Sequence, residues 1–300
     1  MRDGFINFLK PPGMTSHDAV GFVRRTLGLK KAGHAGTLDP GAAGVLPIAV
    51  GRATRLLEYV GGARKTYRAE LRFGAETDSG DDLGEIVAQS DAPTPDDEAV
   101  ARAVRSLTGE IEQTPPVYSA VKIGGRRACD LARQNAAVEI PARRVTIYRL
   151  DVLARSEREK TLLLDVECSK GTYIRALCRD IGRAAGVPAT MSFLVRRAVG
   201  DFSLENARTS EELQAMGETA VEPPEKYLGC LARYELPEAR AKAFLHGLPT
   251  RLGESPETDG PLAVFSGGAF LGVGRFDKET SSLVAEKVYA SQADGKEKCG

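Results

Sequence analysis

Residues 33–46 read GHAGTLDPGAAGVL, and this glycine-rich stretch runs directly into the apolar segment Val45–Val50. The segment predicts a buried strand, and the glycines before it permit positive φ angles and close backbone approach. Neither G-x-x-x-x-G-K-[ST] nor G-x-G-x-x-G occurs, so the loop gives little support to nucleotide binding. It presents instead one carboxylate, Asp39, on a tight turn made rigid by Pro40.

The sequence on both sides of this loop alternates between strand and helix patterns. Residues 67–73 alternate apolar with charged side chains, which predicts a half-buried strand. Ser16 is the predicted N-cap of a helix that continues to about Leu27, and residues 172–185 predict another helix. This mixture predicts an α+β fold: a mixed, largely antiparallel sheet core with flanking helices.

The character of the chain changes twice, which predicts its division into domains. Residues 1–215 form the first predicted domain, and residues 110–140 within it, rich in Pro, Gly and basic side chains, predict an inserted loop or arm. Short apolar runs separated by glycines predict a small C-terminal β-barrel domain over residues 225–290. The polar residues 291–300 predict a flexible tail.

The composition excludes several classes of protein. No apolar run reaches the roughly 18 residues of a membrane span, and the N-terminus lacks a signal-peptide pattern, so we expect a cytoplasmic protein without membrane contact. The five Cys form no C-x-x-C pair, and the three His have no metal-binding spacing. We therefore expect neither a disulfide framework nor a bound metal.

The charge is zero overall but unevenly distributed. The chain has 41 basic and 41 acidic side chains, which at first argues against a nucleic-acid partner. However, residues 1–75 carry a net charge of +7, residues 76–115 carry −9 and residues 116–155 carry +5. The positive segments contain the Asp39 loop and the predicted arm, so the sequence predicts a localised basic face that can grip phosphates.

A few residues combine features that suit chemistry on a nucleic acid. Asp39 can act as a nucleophile or a base, or it can be an ordinary Asp-Pro turn. Tyr67 and Tyr173 each lie beside basic residues, which suits a stacked base with its phosphates held nearby, although core rings are the simpler interpretation. Arg175 lies near a helix start and can pair with a carboxylate such as Asp39, or form a structural salt bridge.

Six motifs in register resemble the TruB-type tRNA pseudouridine synthases. The resemblance runs from about residue 4 to 205, with a smaller C-terminal domain, similar to a PUA domain, in the expected place. The motifs are KPPGMTSHDAV (10–20), GHAGTLDPGAAGVL (33–46), KTYRAELRFGAETDSGD (65–81), QTPPVYSAVKIGG (113–125), CSKGTYIRALCRDIG (168–182) and LVRRAVGDF (194–202).

The resemblance implies a specific reaction and assigns residues to it. The family isomerises uridine-55 in the T-loop of tRNA to pseudouridine, with neither metal nor organic cofactor. Its essential Asp falls on Asp39, whose role as nucleophile or proton abstractor stays open, and its stacking Tyr falls on Tyr67. Its G-T-Y-[IV]-R motif falls on Tyr173 and Arg175, and Arg175 is expected to pair with Asp39. The substrate-binding positions are His34, Leu194, Lys10, Tyr118 and Lys170.

Two other functions remain as alternatives. One is the relative that works inside a guide-RNA particle, which the weakly acidic residues 211–300 disfavour. The other is a non-catalytic tRNA-binding or tRNA-folding protein, which the presence of Asp39, Tyr67 and Arg175 disfavours. We expect a monomer, since no coiled-coil pattern is present. The resemblance implies that residues 1–215 are the catalytic domain and that the arm at 110–140 binds RNA. Cys129 stands in this arm where the family usually has Tyr, so the RNA contacts at that position stay open.

Overall fold

The computed structural model describes residues 3–119, 121–128, 140–252, 255–256 and 258–290. Its strands are β1 (Gly4–Lys10), β2 (Ala32–His34), β3 (Ala43–Val50), β4 (Lys65–Phe73), β5 (Ala75–Thr77), β6 (Ile86–Gln89), β7 (Gly109–Gln113), β8 (Lys122–Ile123), β9 (Arg126–Arg127), β10 (Arg143–Ser156), β11 (Thr161–Cys168), β12 (Ala189–Val199), β13 (Phe202–Ser203), β14 (Ala232–Glu235), β15 (Thr250–Arg251), β16 (Pro261–Ser266), β17 (Ala269–Asp277) and β18 (Ser282–Val288). Its α-helices are α1 (Ser16–Thr26), α2 (Leu57–Gly61), α3 (Asp97–Ser106), α4 (Ile174–Ala185), α5 (Ser210–Met216) and α6 (Glu238–Leu245).

A nine-stranded sheet forms the larger part of the molecule. Its main order is β1-β3-β12-β4-β11-β10-β7, with β2 beside β3 and β13 beside β12. All neighbours in it are antiparallel except β12 and β3, which run parallel where Gly44 lies opposite Arg196. A Cβ at Gly44 would lie 2.2 Å from the Arg196 carbonyl oxygen, so only glycine permits this close pairing. The predicted mixed, largely antiparallel α+β architecture is confirmed.

The helices cover one face of the central strands. In β4, Tyr67, Ala69, Leu71 and Phe73 are buried, as the period of two predicts, and the side chains between them are more exposed. The buried set packs against apolar side chains of α3 and α4, while α1 packs over β1 and β3. The sheet thereby supplies a rigid floor for the loops at its edge.

A second, five-stranded sheet follows, in the order β14-β16-β17-β18-β15, and forms a half-barrel. An aromatic cluster joins it to the first sheet. The rings of Phe202 and Tyr227 stack with centroids 3.8 Å apart, Phe5 meets both edge-on, and Phe265 and Phe270 of the second sheet belong to the same core. This joint is apolar and contiguous, which favours a fixed arrangement of the two sheets.

One predicted cap is wrong, and the correction matters for the site. Thr15, not Ser16, caps α1: its hydroxyl accepts from the Asp18 amide, and the Asp18 carboxylate accepts from the Thr15 amide. Ser16 is therefore released from capping, and its buried hydroxyl faces the loop that carries Asp39.

The described residues include only part of the predicted arm. β7 and the β8–β9 hairpin belong to residues 110–140, whereas Ala120, the stretch 129–139 with Cys129, and the tail 291–300 lie outside the described residues. Within the described part of the chain, no helix has the length and apolar character of a membrane crossing.

Candidate active site

The Asp39 loop connects β2 to β3 and is held from two sides. The Ser16 hydroxyl donates to the Leu38 carbonyl at 2.9 Å and accepts from the Leu38 amide at 2.8 Å. The Gly13 amide donates to the Pro40 carbonyl at 2.8 Å, and the Ala42 amide closes the turn on the Asp39 carbonyl at 3.1 Å. These bonds fix the backbone on both sides of Asp39, so the direction of its carboxylate is set by the fold.

Arg175 forms the predicted ion pair with Asp39. It lies in the first turn of α4, and its buried Nε is 2.9 Å from Asp39 Oδ2. Its other nitrogens donate to the carbonyls of Ser79 at 2.6 Å and Tyr118 at 2.9 Å, and one lies 3.8 Å from Asp81 Oδ2. With its guanidinium held by these two backbone carbonyls, Arg175 presents a fixed charge to Asp39, whose side chain is 39% exposed and faces the cleft.

Tyr67 and Leu194 form the aromatic and apolar floor beside Asp39. Tyr67 lies on β4 and Leu194 on the neighbouring β12, and both are buried residues that line the same cleft. Burial raises the pKa of the Tyr67 phenol, while the charge of Arg196 opposes that rise. The ring is thus kept neutral, which suits stacking against a planar base.

Arg196 is the largest charged side chain in this floor. It lies opposite Tyr67 in the β12–β4 register, where its guanidinium charge acts on the phenol. It also donates to the Val45 carbonyl at 2.8 Å, the Gly36 carbonyl at 2.9 Å and the Thr37 carbonyl at 3.3 Å. Arg196 therefore contacts both ends of the loop that carries Asp39.

Two lysines are buried beside the same loop. Lys10 donates to the carbonyls of Met14 at 2.6 Å, Pro11 at 2.9 Å and Pro40 at 3.3 Å. Lys65 donates to two carbonyls in the turn that precedes β4, each at 3.1 Å. Burial lowers the pKa of both amines to about 8; for Lys10 the nearby Asp39 carboxylate acts in the opposite direction.

The opposite wall of the cleft is formed by Tyr173, Lys170 and Arg143. Buried Gln113 exchanges two hydrogen bonds with the Tyr173 backbone, at 2.8 and 3.1 Å, and so fixes the residue that precedes α4. The Arg143 guanidinium lies 4.6 Å from the centre of the Tyr173 ring and donates to the Gly171 carbonyl at 2.5 Å. Lys170 is exposed at the rim.

One cleft of about 1000 Å³ brings most of the predicted site residues together. Those that line it are Asp39, Tyr67, Tyr173, Arg175, Leu194, Tyr118 and Lys170. Lys10 lies beneath the loop, and His34 lies on β2, where burial lowers its pKa; neither side chain lines the cleft. Within the described residues, no three His, Cys, Asp or Glu side chains lie close enough together to hold a metal ion.

Four further residues of the site escape the analysis of the sequence. Ser16 resembles an ordinary cap, and Asp81 follows Gly80 in a polar turn that nothing local ties to Arg175. Lys65 and Arg196 are charged residues in strands, where the usual expectation is exposure. The signal available for Arg196 was its spacing of two from Leu194, which places both side chains on one face of a strand.

Comparisons with known proteins place the chain in a family. The family model of the N-terminal domain of TruB family pseudouridylate synthases matches residues 24–174, and that of the tRNA pseudouridylate synthase B C-terminal domain matches residues 175–233. The tRNA pseudouridine synthase B of Symbiobacterium thermophilum is 52% identical over 247 residues, 82% of each chain. That of Caldanaerobacter subterraneus subsp. tengcongensis is 44% identical over 272 residues, 91% of this chain and 94% of the relative.

Among solved structures, a chain of the "Cbf5-Nop10-Gar1 Complex" superposes with a TM-score of 0.75 at 27% identity, covering 97% of this chain and 86% of that one. The likeness extends over both sheets, so it includes the cleft as well as the C-terminal half-barrel. On the matched family models and the identity to these relatives, the chain belongs to the TruB family of pseudouridylate synthases and is a tRNA pseudouridine synthase, an isomerase.

Proposed function

We propose that this enzyme isomerises uridine-55 in the T-loop of tRNA to pseudouridine, with Asp39 as its catalytic carboxylate. The observation that carries the proposal is the Asp39–Arg175 ion pair, which aims a backbone-fixed carboxylate into a cleft floored by a buried tyrosine. A uridine within a folded loop is out of reach, so the target must be flipped out of the RNA at a cost of a few kcal/mol. Stacking on Tyr67 returns about 1–3 kcal/mol of that cost.

The reaction moves the uracil without adding or removing atoms. The bond between N1 and the ribose C1′ breaks, the uracil rotates, and C5 joins C1′; the proton on C5 leaves and a proton is placed on N1. Asp39 can begin this by attacking the ribose or the base, or by removing a ribose proton. Each route needs a carboxylate in a fixed position, and Arg175 supplies this condition through its charge and its backbone anchors.

The detached uracil must stay in place until it rejoins, because attack by water would complete a hydrolysis instead. The Tyr67 ring and the Leu194 side chain give the cleft an aromatic floor and an apolar wall, both buried. A planar, uncharged base can lie between them. The filled cleft then excludes water, which favours rejoining of the uracil to the ribose over its loss by hydrolysis. We assign Tyr173 to the opposite wall, where Arg143 holds its ring.

The remaining predicted residues are assigned either to RNA contact or to support of the site. Lys170 at the rim can reach a phosphate, Tyr118 joins Arg175 through its backbone carbonyl, and His34 is assigned to the gap that the flipped nucleotide leaves in the RNA. Lys10 acts beneath the loop as a support for Pro40. We propose residues 225–290 as a second RNA-contacting unit similar to a PUA domain, and an enzyme that acts as a cytoplasmic monomer with neither metal nor organic cofactor.

The experiment uses two unmodified T-stem-loop RNAs that differ only at position 55, uridine in one and cytidine in the other. The purified enzyme alone, without added guide RNA, is expected to form pseudouridine at position 55 of the first RNA and none in the second. Mapping of pseudouridine by base-specific chemical modification gives the position. A product at another uridine, or a requirement for a guide RNA, would overturn the proposed specificity.

A further inference from the structure

Arg196 has an unusual environment for an arginine. Its side chain is 1% exposed, and no carboxylate pairs with it in the described part of the chain. Its charge is met instead by three backbone carbonyls. A buried charge without a counter-charge is costly, so an apolar side chain of similar volume would be the expected choice for packing alone.

The partners of Arg196 explain what the charge accomplishes. Gly36 and Thr37 precede Asp39 and Val45 follows it, so a single planar group ties together both ends of the loop. Tyr67 lies directly opposite Arg196 on the neighbouring strand, and the guanidinium charge acts on its phenol. The positions of the Asp39 carboxylate and the Tyr67 ring are therefore both set relative to the planar guanidinium of Arg196, whose nitrogen donors have a fixed separation.

We propose that Arg196 is a positioning residue of the isomerisation: it sets the distance and angle between the Asp39 carboxylate and the ring of Tyr67, on which the target base stacks. The proposal rests on the proposed function, since it needs Asp39 and Tyr67 to act on the same nucleotide. It differs from a purely structural role, which would stabilise the sheet without changing the reaction of the bound RNA.

Arg196→Lys keeps the charge but replaces the fork with one point of donation, which cannot span the loop and the phenol together. Because a misplacement of about 1 Å costs on the order of 10²-fold, we expect the single-turnover rate at saturating tRNA to fall about 30- to 100-fold. The dissociation constant for tRNA should stay within about threefold of the wild-type value, since the substitution leaves untouched the interactions that bind ground state and transition state equally. Arg197→Lys is the matched control: it is the neighbouring residue, it pairs with Asp165 on the other face of the sheet, and its rate should stay within about twofold of the wild type.

A second arm isolates the contact with the phenol. Tyr67→Phe keeps the ring but removes the hydroxyl on which the Arg196 charge acts, and we expect the rate at saturating tRNA to fall about 5- to 20-fold, in keeping with the loss of an interaction with a charged group. In the double variant Arg196→Lys, Tyr67→Phe, the loss should be at least about threefold smaller than the product of the single losses, because both changes remove the same contact.

The substrate is an unmodified full-length tRNA transcript, and pseudouridine is counted at any position. A wild-type product at another uridine would overturn the proposed specificity, but the ratio of the variant rate to the wild-type rate would still test the role of Arg196. An Arg196→Lys rate equal to wild type, a loss confined to tRNA affinity, or independent effects of the two substitutions would overturn the positioning role. If circular dichroism shows that Arg196→Lys does not fold, Tyr67→Phe decides alone: an undiminished rate there also overturns it.

Discussion

Replacing Asp39 with Asn gives the sharpest test of the site, because it changes one atom of the carboxylate and little else. The amide oxygen of the Asp39→Asn side chain can still lie against Arg175 Nε, and the turn is closed by backbone bonds from Ala42 and Gly13 that the substitution does not touch. What disappears is the negative charge and, with it, any ability to attack carbon or take a proton.

The effect of this substitution on stability should be much smaller than its effect on the reaction rate. Arg175 retains the Ser79 and Tyr118 carbonyls and the nearby Asp81, so its own charge stays satisfied. Because the Asp39 side chain is 39% exposed, solvent screens the lost pair, and unfolding free energy should fall by about 1 kcal/mol or less. The reaction should slow by at least about 10³-fold, which corresponds to about 4 kcal/mol of barrier.

The assay follows from the reaction. When C5 joins the ribose, its hydrogen is released to water, so a T-stem-loop with tritium on C5 of the target uridine reports single turnovers as free tritium. Filter binding of the same RNA measures affinity, and thermal unfolding measures stability. A variant that retains a rate within about tenfold of wild type, or one whose affinity falls in parallel with its rate, would refute the assignment of Asp39 to the chemical step.

Three further outcomes are expected. Tyr67→Ala removes the stacking surface and should lower the rate by at least about 10²-fold, since about 1–3 kcal/mol of stacking is lost as well as the anchor of Arg196; unchanged single turnover would contradict the stacking role. Gly44→Ala places a Cβ 2.2 Å from the Arg196 carbonyl at a φ of +116°, and denaturant unfolding should show a loss of about 2–4 kcal/mol, with a stable variant contradicting the close β3–β12 pairing. Lys65 has a folded pKa of about 8, below its model-peptide value of 10.5, so the unfolded state binds more protons above pH 8 and stability rises with pH. Relative to Lys65→Met, the wild type should therefore gain about 1 kcal/mol between pH 7 and 9 in urea titrations, and a constant difference would show that the pKa of the Lys65 amine is not lowered by folding.

Much of the fold follows from local patterns. The alternation of residues 67–73 gives β4 and its buried face directly, because a strand side chain that points into the core must recur at every second position. Asp39 and Arg175 lie 136 positions apart, so the position of Arg175 near a helix start suggests their pairing only as one alternative, and the resemblance across several motifs makes it the expected one. The helix around Arg175 begins at Ile174, two residues later than expected, because Gln113 holds the Tyr173 backbone in an extended conformation.

The site residues that the sequence does not reveal are decided by contacts between segments that are distant in the chain. A serine near a helix start normally caps the helix, so the sequence predicts that role for Ser16. Only the fold shows that Thr15 is the cap and that Leu38 lies within reach of the Ser16 hydroxyl. Arg196 and Arg197 are identical neighbours, yet one is buried against Tyr67 and the other pairs with Asp165 on the opposite face. Composition predicts both to be exposed, and only the register of β12 against β4 separates them.

The zero net charge of the chain is most informative when it is considered together with burial. Four cations surround the Asp39 loop with little or no solvent contact, namely Lys10, Lys65, Arg175 and Arg196, whereas two carboxylates, Asp39 and Asp81, face them. Backbone carbonyls hold the surplus charge, and because it is buried, salt screens it far less than a surface patch. We expect a cleft with such a floor to attract a polyanion and to stabilise negative charge that develops on a departing base, although the whole molecule is neutral.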